Sequence, residues 1–195
     1  ERGSRHILSQ KAILDEIVRV SPGSQTVPDY AVLMHTASTE QADVVVVPAK
    51  HTVRSFTELG FPPDRLFLNP YGVDLAMFRP TVMPMAAPPC VICVGAWSYQ
   101  KGCDVLVNAM ANLESTVRLL HVGALADAPV PDEAWFQHQQ PVQQWLLPEW
   151  YGQAHVFVIA SRQEGLSLVQ AQALACGLPV VCTDRTGGED LAELT

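Results

Sequence analysis

Apolar residues at Ile7, Leu8, Ala12, Ile13, Leu14, Ile17 and Val18 recur with helical spacing, and Ser21-Pro22-Gly23 closes the run, so the pattern predicts an amphipathic helix over residues 4–20. A loop rich in Pro, Gly and Ser and a weaker helix over 31–41 follow. Four consecutive valines within 43–48 then read as a strand covered on both faces. Residues 51–59 predict a short helix ended by Gly60, and 64–69 a further apolar strand leading into Pro-Tyr-Gly-Val-Asp at 70–74.

The texture then changes. Pro80, Pro84, Pro88 and Pro89 crowd one short stretch, the composition of a connector between domains. Beyond it, apolar strands over 91–94, 118–122, 155–159 and 179–182 alternate with helical patterns over 103–112, 146–153 and 168–176, and a last helix starts at Gly188. Such alternation predicts parallel strands joined by crossover helices on both faces of one sheet, with ligands at the carboxyl ends of the strands. The expected domains are 1–69, a connector over 70–89, and 90–195.

Composition narrows the function classes. The chain has 195 residues, 48% of them hydrophobic, which is a core-forming composition rather than a disordered one. Acidic residues outnumber basic ones by 20 to 12, so the footprint expected of a nucleic-acid binder is lacking, and no apolar run approaches the ~20 residues of a membrane span. The cysteines at 90, 93, 176 and 182 sit in or beside apolar runs, as reduced, buried thiols do. Cys90 and Cys93 make a C-x-x-C, but strand alternation sends positions three apart to opposite faces, against a redox or metal role. The six histidines lack metal-ligand spacing. The chain begins without Met and stops within a helical pattern, so it reads as a piece of something longer.

Three strand-to-helix turns carry the chemistry. In CVGAWSYQKG, Gly95 ends a strand and Lys101-Gly102 opens a helix, setting an ammonium where helix N-terminal amides converge. That suits a diphosphate, although an ordinary exposed lysine beside a glycine turn has the same local sequence. In the second turn Ser167 and Gln170 form a Ser-x-x-Gln capping box, so a helix begins there with the amides of Gly165, Leu166 and Ser167 facing the crevice. Glu164, just before it, is either a ligand-facing carboxylate or a favourable charge at the positive end of the helix. Gln172 is a polar group on an otherwise apolar helix face and must find partners, whether core groups or ribose hydroxyls. The third turn, CTDRTGGEDL, offers hydroxyls on Thr183 and Thr186 before Gly187-Gly188, another anion seat or common turn chemistry. There is no G-x-G-x-x-G and no G-x-x-x-x-G-K-[ST], against a nicotinamide dehydrogenase or a P-loop nucleotidase.

The ordered runs VGAWSYQKG, LLHVG and LPEWYGQAHVFVIASRQEGLSLVQAQALACGLPVVCTD resemble the donor-binding half of retaining glycosyltransferases with the GT-B fold, of the family-4 kind. Upstream, ADVVVVPAKHTVRSFTELGFPPDRLFLNPYGVDLAMFRP resembles the end of the acceptor-side domain and the link to the donor side. The fold class implied is α/β, a Rossmann-like doubly wound parallel sheet for the donor domain plus the last elements of a second Rossmann-like domain. In that family the first glutamate of a Glu-x7-Glu element reaches the transferred sugar and the second the ribose. The first matches Glu164, while the second falls on Gln172, which loses the charge and keeps hydrogen-bonding capacity. Lys101 matches the family's phosphate-binding lysine, but the arginine after the glycine is Ala96 here, so the resemblance implies a donor site that leans on helix amides.

The implied reaction moves a hexosyl unit from a UDP- or GDP-sugar, with retention at the anomeric carbon, to a glycan, lipid or small-molecule acceptor in polysaccharide or cell-envelope synthesis. The donor phosphate takes the acceptor proton. Glu164 orients the sugar, while Lys101, the amides of Gly165 to Ser167 and the turn of Thr186, Gly187 and Gly188 stabilise the departing diphosphate without a metal or other cofactor. The expected partners are a nucleotide sugar and a glycan or lipid-linked acceptor, with no nucleic acid, in the cytoplasm or at the inner face of the membrane through peripheral association. His6, on the first predicted helix, is assigned a surface or packing role. Two other readings stay open: a GT-B module that binds a nucleotide sugar without transferring it, and a GT-B sugar-nucleotide epimerase.

Overall fold

The computed structural model describes residues 7–9, 42–80, 88–113 and 116–193, and divides into two compact units, one of residues 1–71 with 189–195 and one of residues 72–188. In the first unit β1 (Ile7–Ser9), β2 (Val44–Val47) and β3 (Leu66–Leu68) pair in parallel in that order. The strand at Ile7–Ser9 corrects the helix expected over 4–20, most of which lies outside the described residues, as do His6 and the helix expected over 31–41. The periodicity was real but local: three apolar or small residues serve a strand register against Val44, Val45 and Val46 as readily as a helix face. Val45 and Val47 are fully buried and Val44 and Val46 half-buried, so the valine strand is sealed on one face only.

Helix α1 (Lys50–Glu58) packs Phe56 onto this sheet, and Phe61 meets it edge to face at 5.4 Å once Gly60, in the left-handed region at φ 82°, has turned the chain. The tail groups with this unit: Asp190 accepts the Lys50 amide at 3.1 Å, satisfying a donor at the start of α1, and Glu189 pairs with Arg54. Glu189 and Asp190, read from the sequence as part of the second domain, make these contacts through charges that sequence patterning does not see.

The second unit is a five-stranded parallel sheet in the order β6-β5-β4-β7-β8, formed by β4 (Cys90–Val94), β5 (Arg118–Val122), β6 (Phe136–Gln139), β7 (Val156–Ile159) and β8 (Val180–Cys182). Its helices are α2 (Cys103–Ala111), α3 (Leu147–Tyr151) and α4 (Leu168–Ala175); α5 (Gly188–Ala192) starts on the last residue of this unit and otherwise belongs to the first. Strand β6 was not legible: its Phe-Gln-His-Gln has one strongly apolar residue and no alternation.

Two cores form. One joins Ile92, Leu120, Phe157, Tyr151 and Leu178, and Phe78 and Met77 reach into it from the stretch expected to be a connector. The other joins Trp97, Leu106, Met110, Leu119 and Trp135, with Cys103, Leu106 and Met110 supplying the helical stripe of α2. Cys90 faces the first core and Cys93 the second, as alternation requires, and all five thiols are unpaired. Cys182 is exposed rather than buried, because β8 is an edge strand that ends there. Among the described residues no helix is long and apolar enough to cross a membrane.

Candidate functional site

Strand order reverses at β4. The chain winds outward through β5 to β6, then returns to the other side of β4 with β7 and β8, which opens a crevice beyond the carboxyl ends of β4 and β7. Gly95 follows β4 at φ 135°, and the next turn is tight: Ser98 Oγ accepts the Lys101 amide at 3.2 Å, and Gly102 donates to the Tyr99 carbonyl at 3.0 Å. Gly102 is left-handed at φ 67°, and a Cβ there would collide with the Ala160 carbonyl. Glycine therefore lets the start of α2 press against the end of β7.

That approach delivers Lys101 to Glu164. The ammonium of Lys101 donates to Glu164 Oε1, and the same oxygen accepts the Ser161 hydroxyl at 2.8 Å. Arg162 fastens the two turns together: its amide donates to the Gln100 carbonyl at 2.9 Å and its guanidinium grips Asp104 at 2.7 and 2.8 Å and also the Tyr99 carbonyl. The Asp104 carboxyl is held below its ordinary value, chiefly by that guanidinium. Neither Ser161 nor Arg162 was singled out in the sequence, since an arginine in a loop gives no sign that its partner lies on a helix 58 residues earlier.

The third turn is sewn to the second. Glu164 donates its amide to the Arg185 carbonyl at 2.8 Å, Ser167 its amide to the Thr186 carbonyl at 3.2 Å, and Thr183 Oγ1 its proton to the Ser161 carbonyl at 2.5 Å. This corrects two expectations. Ser167 caps α4 by position but without a side-chain bond, and Gln170 does not complete a box: its Nε2 donates to the Thr186 carbonyl at 2.8 Å. Thr186, fully buried, donates its hydroxyl to the Thr183 carbonyl at 2.7 Å, a bond that braces the turn. The amides of Gly165 and Leu166 make no backbone hydrogen bond among the described residues, whereas that of Ser167 is committed to the Thr186 carbonyl. Gly187 sits at φ 77°, and a Cβ on Gly188 would meet Cys182 Sγ and come within 3.2 Å of Gln170 Oε1.

Gln172 is 5% exposed and accepts the Tyr151 hydroxyl at 3.2 Å. Its carbonyl oxygen thus has a core partner, the first of the two options read from the sequence. Burial pushes the Tyr151 hydroxyl pKa well up, so it stays a donor. Of the tryptophans, Trp97 and Trp135 are core and Trp145 is exposed.

These features have a family. Residues 88–194 match the model of glycosyl transferases group 1. The chain belongs to that family. Among relatives of the group 1 chain, a D-inositol 3-phosphate glycosyltransferase of Xylanimonas cellulosilytica is 30% identical over 189 residues, covering 83% of this chain and 45% of the relative. A GDP-mannose-dependent alpha-(1-6)-phosphatidylinositol monomannoside mannosyltransferase of Mycolicibacterium smegmatis is 30% identical over 176 residues, covering 75% and 45%. The chain spans about half the length of the curated relatives it matches. Its fold is that of solved GT-B glycosyltransferases: Anabaena HepE with UDP and glucose (TM-score 0.68, 18% identity, 96% of this chain and 55% of that one) and the sucrose-phosphate synthase of Thermosynechococcus elongatus (0.70, 22%, 95% and 51%).

Outside the cleft, His51, Glu189 and Asp190 of the first unit bring metal-ligating atoms within 4.8 Å of one another. Their separation in sequence hid the cluster, and both carboxylates already serve basic or amide partners in Arg54 and Lys50.

Proposed function

We propose that this cleft binds a nucleoside diphosphate sugar, a UDP- or GDP-sugar, and that the protein carrying it transfers the hexosyl unit with retention to a glycan, lipid or small-molecule acceptor. The observation that carries the reading is the meeting of Lys101 and Glu164 beyond β4 and β7, beside the amides of Gly165 and Leu166, which make no backbone hydrogen bond among the described residues. A diphosphate departing from the anomeric carbon develops negative charge, and an ammonium with preorganised amides lowers the barrier by stabilising that charge as it forms. The anomeric carbon–phosphate oxygen bond breaks, the bond to the acceptor oxygen forms on the same face, and the acceptor proton passes to the departing phosphate. Glu164 holds the sugar hydroxyls; Lys101, held by Glu164 in the absence of donor, turns to the phosphate when one arrives. No step requires a metal.

The names of the relatives support an acceptor of the inositol phosphate or lipid-linked class and a place in cell-envelope or polysaccharide synthesis. On this reading the protein works in the cytoplasm, or peripherally at the inner face of the membrane.

Titrating the chain with UDP, GDP and ADP, each alone and as its sugar conjugate, tests the proposal through thermal stabilisation. Ligand at 100 times its dissociation constant adds about 2.7 kcal/mol. Stabilisation by one nucleotide that is lost in Lys101→Ala supports the reading, and a folded chain that responds to none of them refutes it.

A further inference from the structure

Two histidines lie directly behind the Gly95 turn and have no part in the chemistry above. His121 on β5 is buried in the Trp97 core, with ring centroids 4.8 Å apart, on a strand whose other side chains are Leu119, Leu120, Val122 and Arg118. An imidazole in such surroundings needs partners for both nitrogens, and it has them: Nε2 stands 2.9 Å from the Gly95 carbonyl and Nδ1 stands 2.9 Å from Nδ1 of His138 on β6.

The protons of this chain can be assigned. A carbonyl only accepts, so His121 Nε2 carries the hydrogen; in a neutral ring Nδ1 is then the acceptor, and His138 Nδ1 must donate to it. His138 Nε2 is left as a buried nitrogen without a hydrogen-bond partner among the described residues, the end of the line. Each ring fixes the tautomer of the other, and the pair ends on one peptide oxygen.

That oxygen is held from a second side. Gly123 packs so closely on it that a Cβ there would collide with the Gly95 carbonyl. In a trans peptide the C=O and the following N–H point in opposite directions, so fixing the Gly95 oxygen toward His121 turns the Ala96 N–H away from the core. Ala96 is exposed, its amide makes no backbone hydrogen bond among the described residues, and Gly95, Ala96, Lys101 and His121 line one cleft.

We propose that His121 and His138 are positioning residues that lock the Gly95–Ala96 peptide so that the Ala96 amide donates to the diphosphate of the nucleotide sugar. The inference rests on the nucleotide reading of the cleft. It also gives a role to the position where this chain has Ala96 instead of an arginine: a main-chain donor stands where a side-chain cation is missing, and it is aimed by the histidines rather than by a helix. A peptide flipped the other way would present a carbonyl to the phosphate, so the lock separates attraction from repulsion at this point.

Long-range nitrogen–proton NMR on the chain reads the tautomers directly. The expected result is an Nε2–H ring for His121 and an Nδ1–H ring for His138, with His121 becoming a tautomer mixture in His138→Leu. In parallel, UDP and GDP are titrated into His121→Leu, expected to weaken the better nucleotide roughly tenfold, the order of one lost hydrogen bond to a charged group, and into His121→Gln, whose side-chain amide is a donor for the same carbonyl and is expected to restore affinity to within about threefold. An Nδ1–H ring at His121, or a folded His121→Leu chain with unchanged affinity, overturns the lock. An unaltered chain with both tautomers as stated that binds neither nucleotide refutes the ligand and the reading it rests on, while the peptide lock stands.

Discussion

Lys101 and Glu164 lie 63 residues apart and share one ion pair, with the ammonium on the carboxylate oxygen that also accepts the Ser161 hydroxyl. Both side chains are only partly exposed, 27% and 14%, so the pair is set in the cleft wall rather than on open surface. Its function follows from which partner a ligand displaces. Lys101→Met is expected to lower nucleoside diphosphate affinity about 10- to 100-fold, the loss of one charge-assisted contact. Glu164→Gln is expected to leave UDP or GDP affinity undiminished, since it releases the lysine, while abolishing preference for the sugar conjugate over the bare nucleotide. Calorimetric titration of both ligands checks this, and a Glu164→Gln chain that loses the bare nucleotide contradicts the assigned roles.

The pairing itself was not written in the sequence, although each residue was. Gly95, Lys101, Glu164 and Gly165 stood out because glycine and charge at strand-to-helix turns have local causes. The alternation over 90–182 sufficed for the doubly wound sheet because buried parallel strands are apolar throughout. What stayed hidden depended on distant partners. Gln170 reads as a cap but donates to the Thr186 carbonyl, and Arg162 fastens two turns through Asp104. Phe-Gln-His-Gln becomes a strand because β5 supplies its ladder and Trp97 lies 4.9 Å from the Phe136 ring.

Gly102→Ala tests the turn that delivers Lys101. The residue is left-handed, and the Ala160 carbonyl occupies the place of a Cβ. Strain and overpacking each destabilise by about 1–3 kcal/mol, so the thermal midpoint of the second unit should fall by several degrees. Gly60→Ala, left-handed but with open space around the Cβ position, should lose less. Equal losses in the two variants would show that the close approach to β7 contributes nothing.

Acid should loosen the second unit. Burial holds the His121 pKa below its ordinary value of 6.5, His138 adding to the effect and the Gly95 carbonyl opposing it. Above about pH 6.5 the ring is neutral in folded and unfolded chains alike, and it contributes no pH dependence. As pH falls below that value the unfolded chain takes up a proton that the folded chain resists, so stability is lost progressively toward the folded value, at no more than about 1.4 kcal/mol per pH unit. Asp104, held low by Arg162, contributes stability above its unfolded value that is lost only at more acid pH, as it titrates in the fold. Thermal melts between about pH 7.5 and 5.5 should therefore show a falling midpoint that flattens in His121→Gln. An unchanged slope would remove His121 as the cause.

Gln172 is the position where a carboxylate was expected, and its present bond decides what substitution does there. Its Oε1 accepts from Tyr151, whose hydroxyl also lies 3.4 Å from the Val169 carbonyl, inside the core that holds α4 against the sheet. Gln172→Leu strands a buried hydroxyl with one long bond, a loss of about 1–3 kcal/mol. Removing both partners in Tyr151→Phe with Gln172→Leu should recover much of it, because an apolar pair leaves nothing unsatisfied. Gln172→Glu keeps the acceptor for Tyr151, and a second carboxylate oxygen then faces wherever the amide nitrogen now faces. If that direction is the ribose, the variant binds UDP or GDP more tightly and discriminates more strongly against the 2′-deoxy nucleotide; if it is core, the buried charge destabilises the chain and affinity does not rise. Melting temperature and the ribose-to-deoxyribose affinity ratio, measured on the same three variants, separate these outcomes. An increase in that ratio with a preserved melting point would assign α4 to the nucleotide as well as to the sheet.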